Sequence, residues 1–289
     1  MTKPAASLRI LPSFVLFFLI VFASLLPGFD GLSDAADATK TIKIGGTGTA
    51  LATMRLLGEA FQDRHPGIVV KVFPSLGSRG GIEAVLEGDI DMAVSSGKPS
   101  SAQKAEGLIA REYGRTPLVF VTHKTNPLSD ITMEQVIDIY AGRMMSWPDN
   151  APVRLVVRTA TEASTHLLEG ISEQMKKAVL SAAERPGMTV AVTDQENADL
   201  LEKLPGSFGA APLCQLISEK RGLKVLSLNG IKPGEKTLAD GTYRYYYDLY
   251  LMTGPRSSPA SRLFVDFVFS KAGQSLLTRT GYVTTRRPR

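Results

Sequence analysis

The sequence predicts an α/β protein in which short apolar strands alternate with helices. Its 289 residues are 44% hydrophobic and 21% charged, which is enough apolar material for a buried core and close to the globular average. From residue 41 onward, short apolar runs are followed by glycine-rich turns and then by helical periodicity. That alternation is typical of a sheet covered by helices.

The first strand–turn–helix unit begins with a strand over residues 41–44. A turn of glycine and threonine follows at residues 45–49. The next apolar residues recur every three or four positions, which predicts a helix over residues 50–64. Pro66 and Gly67 disfavour helix, so this helix is predicted to end before them.

A second unit of the same kind follows directly. It combines a strand over residues 68–73, a turn over residues 77–81 and a helix over residues 82–87. A third strand is predicted over residues 91–94.

The later chain continues the alternation. Further strands are predicted over residues 118–121, 153–158, 206–211, 223–228 and 243–252, and further helices over residues 132–140 and 261–278. The tyrosines of residues 243–250 favour packing within a crossing strand over a ligand platform, and Trp147 is interpreted as a loop anchor.

The two glycine-rich turns are candidate anion sites. A helix N-terminus presents unpaired N–H groups and a partial positive charge to whatever lies at the end of the preceding strand. Thr47-Gly48-Thr49 in the first turn and Ser78-Arg79-Gly80 in the second add donors and allow close approach to the backbone. The alternative is that Thr49 and Ser78 are ordinary helix N-caps.

A third junction contains an arginine. Arg158 stands at the end of the strand over residues 153–158, just before a segment rich in hydroxyl residues. A guanidinium there is suited to a bidentate hold on an oxyanion. It could instead pair with Glu162, four residues later.

Several kinds of chemistry are disfavoured. Cys214 is the one cysteine, and His65, His123 and His166 are the three histidines, so a cysteine or histidine metal site is not expected. No nucleoside-triphosphate loop, dinucleotide fingerprint or hydrolase elbow is present. The net charge of +5 is mild and lacks the dense basic stripe of nucleic-acid binders. We therefore expect no cofactor, no metal, no nucleic-acid partner and no enzymatic activity.

Residues 1–38 are predicted to be an export signal, with a basic start and an apolar stretch. Small residues make a cut after Ala35 or Ala38 plausible, and an uncleaved membrane anchor is the alternative. Either outcome predicts a periplasmic or extracellular protein.

Several segments together carry a more specific pattern. They are Asn126-Pro127 with the helix that follows to residue 142, Trp147-Pro148-Asp149, Pro205-Gly206-Ser207-Phe208-Gly209, residues 264–274 and Gly281-Tyr282-Val283. Residues 41–285 resemble, through these motifs, the periplasmic phosphate-binding proteins of ABC importers, which have the type II substrate-binding fold.

The resemblance implies two α/β lobes with a ligand cleft between them. Lobe one would be residues 41–120 plus 249–289, and lobe two residues 121–248. A dehydrated oxyanion would lie in the cleft, and an ABC permease in the inner membrane would receive it. The same resemblance implies ligand-binding roles for four residues matched by position, Thr49, Ser78, Arg158 and Ser164.

Two positions depart from the family pattern. Ser96 stands where some members carry an aspartate that accepts a proton from phosphate, so discrimination against sulfate is in question. Glu162 replaces a neutral hydroxyl, and it would either face the cleft as a proton acceptor or face away. We expect a monomeric binding protein for phosphate. Sulfate, molybdate or tungstate as ligand, or a sensory or scaffold module with the same fold, are the alternatives.

Overall fold

The computed structural model describes residues 40–285. The predicted export signal over residues 1–38 lies outside them. The strands are Lys40–Gly46 (β1), Ile68–Val72 (β2), Met92–Ser95 (β3), Ile109–His123 (β4), Asp130–Ile131 (β5), Arg154–Arg158 (β6), Thr189–Ala191 (β7), Ser207–Pro212 (β8), Leu223–Val225 (β9), Ser227–Leu228 (β10), Tyr246–Thr253 (β11) and Val283–Thr284 (β12). The helices are Gly48–Gln62 (α1), Gly77–Glu87 (α2), Ser101–Ala105 (α3), Met133–Tyr140 (α4), Ala163–Glu169 (α5), Glu173–Glu184 (α6), Asp194–Lys203 (α7), Leu213–Ser218 (α8), Glu235–Ala239 (α9), Pro259–Val268 (α10) and Lys271–Arg279 (α11).

The main sheet is mixed, and its strand order is β2-β1-β3-β11-β4-β8-β6-β7. Parallel pairs occupy both ends of that order, where β1 lies between β2 and β3, and β6 lies between β8 and β7. The central strands β11 and β4 are antiparallel to their neighbours. The carboxyl ends of β1 and β6, where the predicted anion turns lie, therefore belong to different halves of the sheet.

Strand β4 joins the two halves of the sheet. Its first part pairs with β11 through residue 117, and its second part pairs with β8 from residue 118 onward. Tyr247 and Tyr250 are buried and lie in β11, which pairs with β4, so these two tyrosines pack within a strand as predicted. Trp147 is also buried, and its indole Nε1 donates to the carbonyl of Gly206 at 3.0 Å, which confirms its role as a loop anchor.

The apolar residues that predicted helix α1 by their spacing are buried in the hydrophobic core. Leu51, Met54, Leu57 and Phe61 lie on one face and are at most 1% exposed, in the same cluster as Ile42 of β1. Burying each such side chain contributes about 1.5–3 kcal/mol. The helix begins two residues earlier than the sequence predicts, at Gly48.

Several features differ from the sequence prediction. Residues 77–81 form the first turn of α2 rather than a loop before it. The single helix predicted over residues 261–278 is two helices, because the Ser270 hydroxyl accepts a hydrogen bond from the Gly273 N–H (3.3 Å) and starts α11 anew. Helices α3, α6, α7, α8 and α9 and strands β5 and β7 were not predicted. Within residues 40–285, no helix has both the length and the apolar character needed to cross a membrane.

Candidate functional site

A cavity of about 210 Å³ lies where the two halves of the sheet face each other. Its walls come from the β1–α1 turn, the segment before α2, the end of β6 and the loop between β7 and α7. The lining residues are Thr47, Gly48, Ser75, Leu76, Gly77, Arg158, Glu162, Val192, Thr193 and Asp194. Four of the residues singled out from the sequence, namely Thr47, Gly48, Arg158 and Glu162, are among them.

The first turn contributes Thr47 and Gly48 to the lining of this cavity. Thr47 is the N-cap residue of α1, but its side chain makes no capping hydrogen bond. Its Oγ1 donates to Oγ1 of Thr49 at 3.2 Å, and Thr49 Oγ1 in turn donates to Oδ2 of Asp194 at 3.2 Å. Ser78 is not an N-cap either, because Leu76 holds that position. The N-cap interpretation of Thr49 and Ser78 is therefore wrong.

Two glycines hold α2 against the first turn. A Cβ on Gly81 would lie 2.6 Å from Cα of Gly46, which is closer than real Cβ contacts allow. Gly46 itself has φ +119°, and a Cβ there would lie 2.0 Å from the carbonyl oxygen of Val94. The absence of side chains at both positions lets the N-termini of α1 and α2 converge on one cavity.

Arg158 is the cation of the site and is only 8% exposed. Its Nη1 donates to Oδ1 of Asp194 at 2.6 Å, and its Nη2 donates to Oε2 of Glu162 at 2.8 Å. The backbone carbonyls of Ala191 and Val192 accept from Nε at 3.1 Å and from Nη2 at 3.2 Å. The pairing with Glu162 considered from the sequence is confirmed, and a second carboxylate joins it.

The two carboxylates outnumber the guanidinium. Arg158 contributes one positive charge, whereas Glu162 and Asp194 contribute two negative charges, a formal sum of −1. Burial raises the pKa of Glu162, and the neighbouring Asp194 carboxylate raises it further, against the opposing effects of Arg158 and His166. Glu162 lines the cavity, and its Oε2 accepts the hydrogen bond from Nη2 of Arg158.

Asp194 was not found from the sequence. It is the first residue of α7, is 6% exposed, and connects Arg158 of β6 to Thr49 of α1. Thr193-Asp194-Gln195-Glu196 has the spacing of a capping box, and Thr193 does accept from the Glu196 N–H at 3.1 Å. That signal could have located the helix start.

Tyr247 is buried and interacts electrostatically with Asp194 and Arg158. Burial raises its pKa well above the ordinary value, and the negative charge of Asp194 adds to this effect. Among the described residues its hydroxyl has no hydrogen-bond partner. The neutral hydroxyl of Tyr247 is therefore a buried hydrogen-bond donor that is still without an acceptor in that part of the chain.

The remaining predicted residues lie elsewhere. The Ser78 and Ser96 hydroxyls are 3.2 Å apart, and the Ser96 N–H donates to Ser78 Oγ at 3.2 Å. Arg79 is exposed and pairs with Glu83 at 2.8 Å, and Gly80 is the next residue along the same helix. None of these four predicted residues lines the 210 Å³ cavity.

Ser164 belongs to a second, mostly apolar cavity of about 40 Å³, between α5 and the end of β6. Its buried hydroxyl has no partner among the described residues. Arg158 also lines this smaller cavity.

A two-lobed α/β architecture with converging helix N-termini and a buried arginine defines a protein of the type II periplasmic binding class. The family model described as "PBP superfamily domain" matches residues 33–272. The chain therefore belongs to the PBP superfamily, a family of substrate-binding proteins.

Curated relatives and solved structures agree with this assignment. The chain is 22% identical over 257 residues to a phosphate-binding protein PstS from Borreliella burgdorferi, covering 86% of this chain and 91% of the relative. It is 26% identical over 263 residues to a phosphate-binding protein PstS from Staphylococcus saprophyticus, covering 85% and 81%.

Two solved structures share the fold. A chain from Clostridium perfringens with bound phosphate has a TM-score of 0.72 at 18% identity, covering 86% of this chain and all (100%) of that one. An ABC-type phosphate transport receptor from Vibrio cholerae has a TM-score of 0.59 at 20% identity, covering 84% and 100%.

Proposed function

We propose that this protein is an exported, non-enzymatic substrate-binding protein that captures phosphate for an ABC importer. Relatives named as phosphate-binding proteins match it over most of their length, and a structural neighbour holds phosphate. Membership of a family of substrate-binding proteins supports the same proposal.

One observation carries the proposal. A buried guanidinium, Arg158, shares a cavity with the N-terminal turn of a long helix, where Thr47 and Gly48 present a hydroxyl and the backbone. Helix N-termini favour anions, and a guanidinium binds oxyanions through charge-assisted hydrogen bonds. Leu76 and Val192 complete the walls of the cavity.

The proposed action follows from the two halves of the sheet. Lobe one would comprise residues 41–120 plus 249–289 and lobe two residues 121–248, with the ligand between them. Binding would shift an open–closed equilibrium towards the closed form. A permease in the inner membrane would then recognise the closed, monomeric protein in the periplasm.

A thermal-shift panel tests the proposal. Protein stripped of ligand by unfolding and refolding is heated with phosphate, sulfate, molybdate, tungstate or a neutral sugar. A ligand present at 100 times its Kd stabilises the native state by about 2.7 kcal/mol and raises Tm by a few degrees. We expect phosphate to raise Tm. A response to sulfate, molybdate or tungstate without phosphate would reassign the ligand.

A sensory module with the same fold is the second candidate. Two carboxylates already pair with Arg158, which offsets the charge that an oxyanion needs. A structural neighbour is the effector-binding domain of QuiR in complex with shikimate, with a TM-score of 0.54 at 17% identity. No Tm response to any of the oxyanions would favour this candidate.

A further inference from the structure

Most N–H donors of the Arg158 guanidinium already make hydrogen bonds within the protein. A guanidinium has five N–H donors. Nε, Nη1 and Nη2 make four hydrogen bonds, to Asp194, Glu162 and two backbone carbonyls. At most one N–H remains, so an incoming oxyanion cannot take a bidentate hold on Arg158 unless one of these partners leaves.

Glu162 is the partner that can leave. Asp194 has a side chain only 8% exposed and is also held by Thr49, and the two carbonyls are backbone atoms next to β7. The Glu162 side chain is 28% exposed. It stands at the N-cap position of α5 but makes no capping hydrogen bond, so its movement costs no helix contact.

We infer that Glu162 is an internal competitor for the ligand, whose carboxylate occupies the edge of Arg158 that the oxyanion must use and so sets the affinity of the site. This inference rests on the proposed function, since it assumes that an oxyanion enters this cavity. Binding then requires two changes, namely breaking the Arg158–Glu162 ion pair and placing an anion close to a displaced carboxylate. Both lower the affinity.

The competition depends on the charge of Glu162. The titratable and charged groups that face it are Arg158 at the end of β6, Asp194 at the start of α7 and His166 on its own helix. The pKa of Glu162 is raised chiefly by burial. A fall in pH therefore protonates Glu162 before an exposed glutamate would be protonated, and it frees Arg158.

The test compares phosphate binding by calorimetry in four full-length proteins: wild type, Glu162→Gln, Glu169→Gln and Arg158→Ala. Glu162→Gln keeps the size of the side chain and removes its charge. Glu169 lies on the same helix, with a side chain 22% exposed and paired with His166 at 3.8 Å, so Glu169→Gln controls for the loss of one nearby negative charge. Thermal melting without ligand checks that each variant folds.

We expect Glu162→Gln to bind phosphate about five to ten times more tightly than wild type, and Glu169→Gln to stay within about twofold of it. Equal or weaker binding by Glu162→Gln, in a wild type that binds phosphate, overturns the inference and leaves the proposed function standing. No phosphate binding by any of the proteins, Glu162→Gln included, overturns the proposed function and the inference with it.

Measurements at several pH values test whether the charge of Glu162, rather than the shape of its side chain, lowers the affinity for phosphate. The ratio of the Kd values of wild type and Glu162→Gln cancels the titration of phosphate, because the ligand is the same for both proteins. We expect this ratio to move towards one as the pH is lowered from about 8 towards the acid limit of the native fold, because the raised pKa of Glu162 lets it be protonated before an exposed glutamate. A ratio that stays constant over that range would show that the charge of Glu162 is not the cause.

Discussion

At the scale of single residues, Arg158 is expected to contribute both to ligand binding and to the stability of the native fold. Its two carboxylate partners come from different helices, Glu162 from the start of α5 and Asp194 from the start of α7. Breaking a buried ion pair by removing one partner costs more than the pair contributes, because the other charge stays buried alone. Removal of Arg158 would strand Asp194 in this way.

Replacement of Arg158 is predicted to weaken phosphate binding at least tenfold, since a bidentate charge-assisted contact is lost. The same change is expected to lower the free energy of unfolding by about 3 kcal/mol, because Asp194 loses its cation. Calorimetry on folded Arg158→Ala measures the first effect and urea unfolding the second.

Arg154→Ala is the matched control. Arg154 begins the same strand, and its Nη1 donates only to the carbonyl of Pro205 at 2.7 Å, away from the cavity. We expect wild-type affinity for this variant. Unchanged affinity in Arg158→Ala would exclude Arg158 from the ligand site.

At the scale of elements, the convergence of α1 and α2 depends on glycine. Gly80 and Gly81 are neighbours in α2 but differ in what faces them. A Cβ added to Gly81 would clash with the backbone of Gly46. A Cβ added to Gly80 would meet nothing closer than Cβ of Leu76 at 3.5 Å. The two positions therefore form a matched pair for substitution by alanine.

Gly81→Ala is predicted to lower the free energy of unfolding by about 1–3 kcal/mol, because backbone must move to admit the methyl group. Gly80→Ala is predicted to raise it by about 0.5–1 kcal/mol, through higher helix propensity at a position with room. Urea denaturation of both variants measures the difference. A stabilising effect at Gly81 would contradict the close packing of α2 on the first turn.

The first strands and the first helix of the chain were the easiest to predict. Strands β1, β2 and β3 with helix α1 follow from local alternation between apolar runs and periodic segments, and the structure places them within one to two residues. Helix α2 begins earlier than predicted because glycines, read as a turn, fit inside its first turn.

The site was less predictable than the strands, because its contacts are long-range. Asp194 lies 36 residues from Arg158 and 145 from Thr49, so no local pattern joins them. Ser164 was assigned to the site through its match to a hydroxyl of the family motif, yet it lines the smaller cavity and not the 210 Å³ cavity. The direction of a side chain at a loop–helix junction depends on packing that periodicity does not encode.

At the scale of the whole molecule, the reactivity of Cys214 measures unfolding of the chain. Its thiol is fully buried where α8 packs on α1, and its Sγ donates to the carbonyl of Thr49 at 3.3 Å. Burial raises its pKa to about 12. The thiolate, which is the reactive form, is therefore scarce in the native state.

Cys214 is predicted to resist alkylation by iodoacetamide in native protein even at about pH 9, where a free cysteine is mostly thiolate. Unfolding in urea should expose it to complete labelling, as measured by mass spectrometry. Rapid labelling under native conditions would show that α8 separates from α1 without unfolding of the whole chain.

The last prediction concerns closure itself, which contacts between α1 and α7 would stabilise. Gln195 Nε2 donates to the carbonyl of Gly48 at 3.1 Å and to Oε1 of Glu219 at 2.8 Å, so it connects the first turn to the other half of the sheet. Gln195→Ala should depopulate the closed form and weaken phosphate binding about three- to tenfold, since apparent affinity scales with the competent fraction.

Gln274→Ala is the control for that experiment, because Gln274 Nε2 donates to the carbonyl of Val268 at 3.0 Å within the C-terminal helices. It should leave the Kd unchanged. Small-angle scattering at saturating phosphate should give the same radius of gyration for Gln195→Ala and wild type, because enough ligand restores closure. If Gln195→Ala bound phosphate as tightly as wild type, the contact between Gln195 and Gly48 would not contribute to closure, and the energy of closure would have to come from the ligand and Arg158.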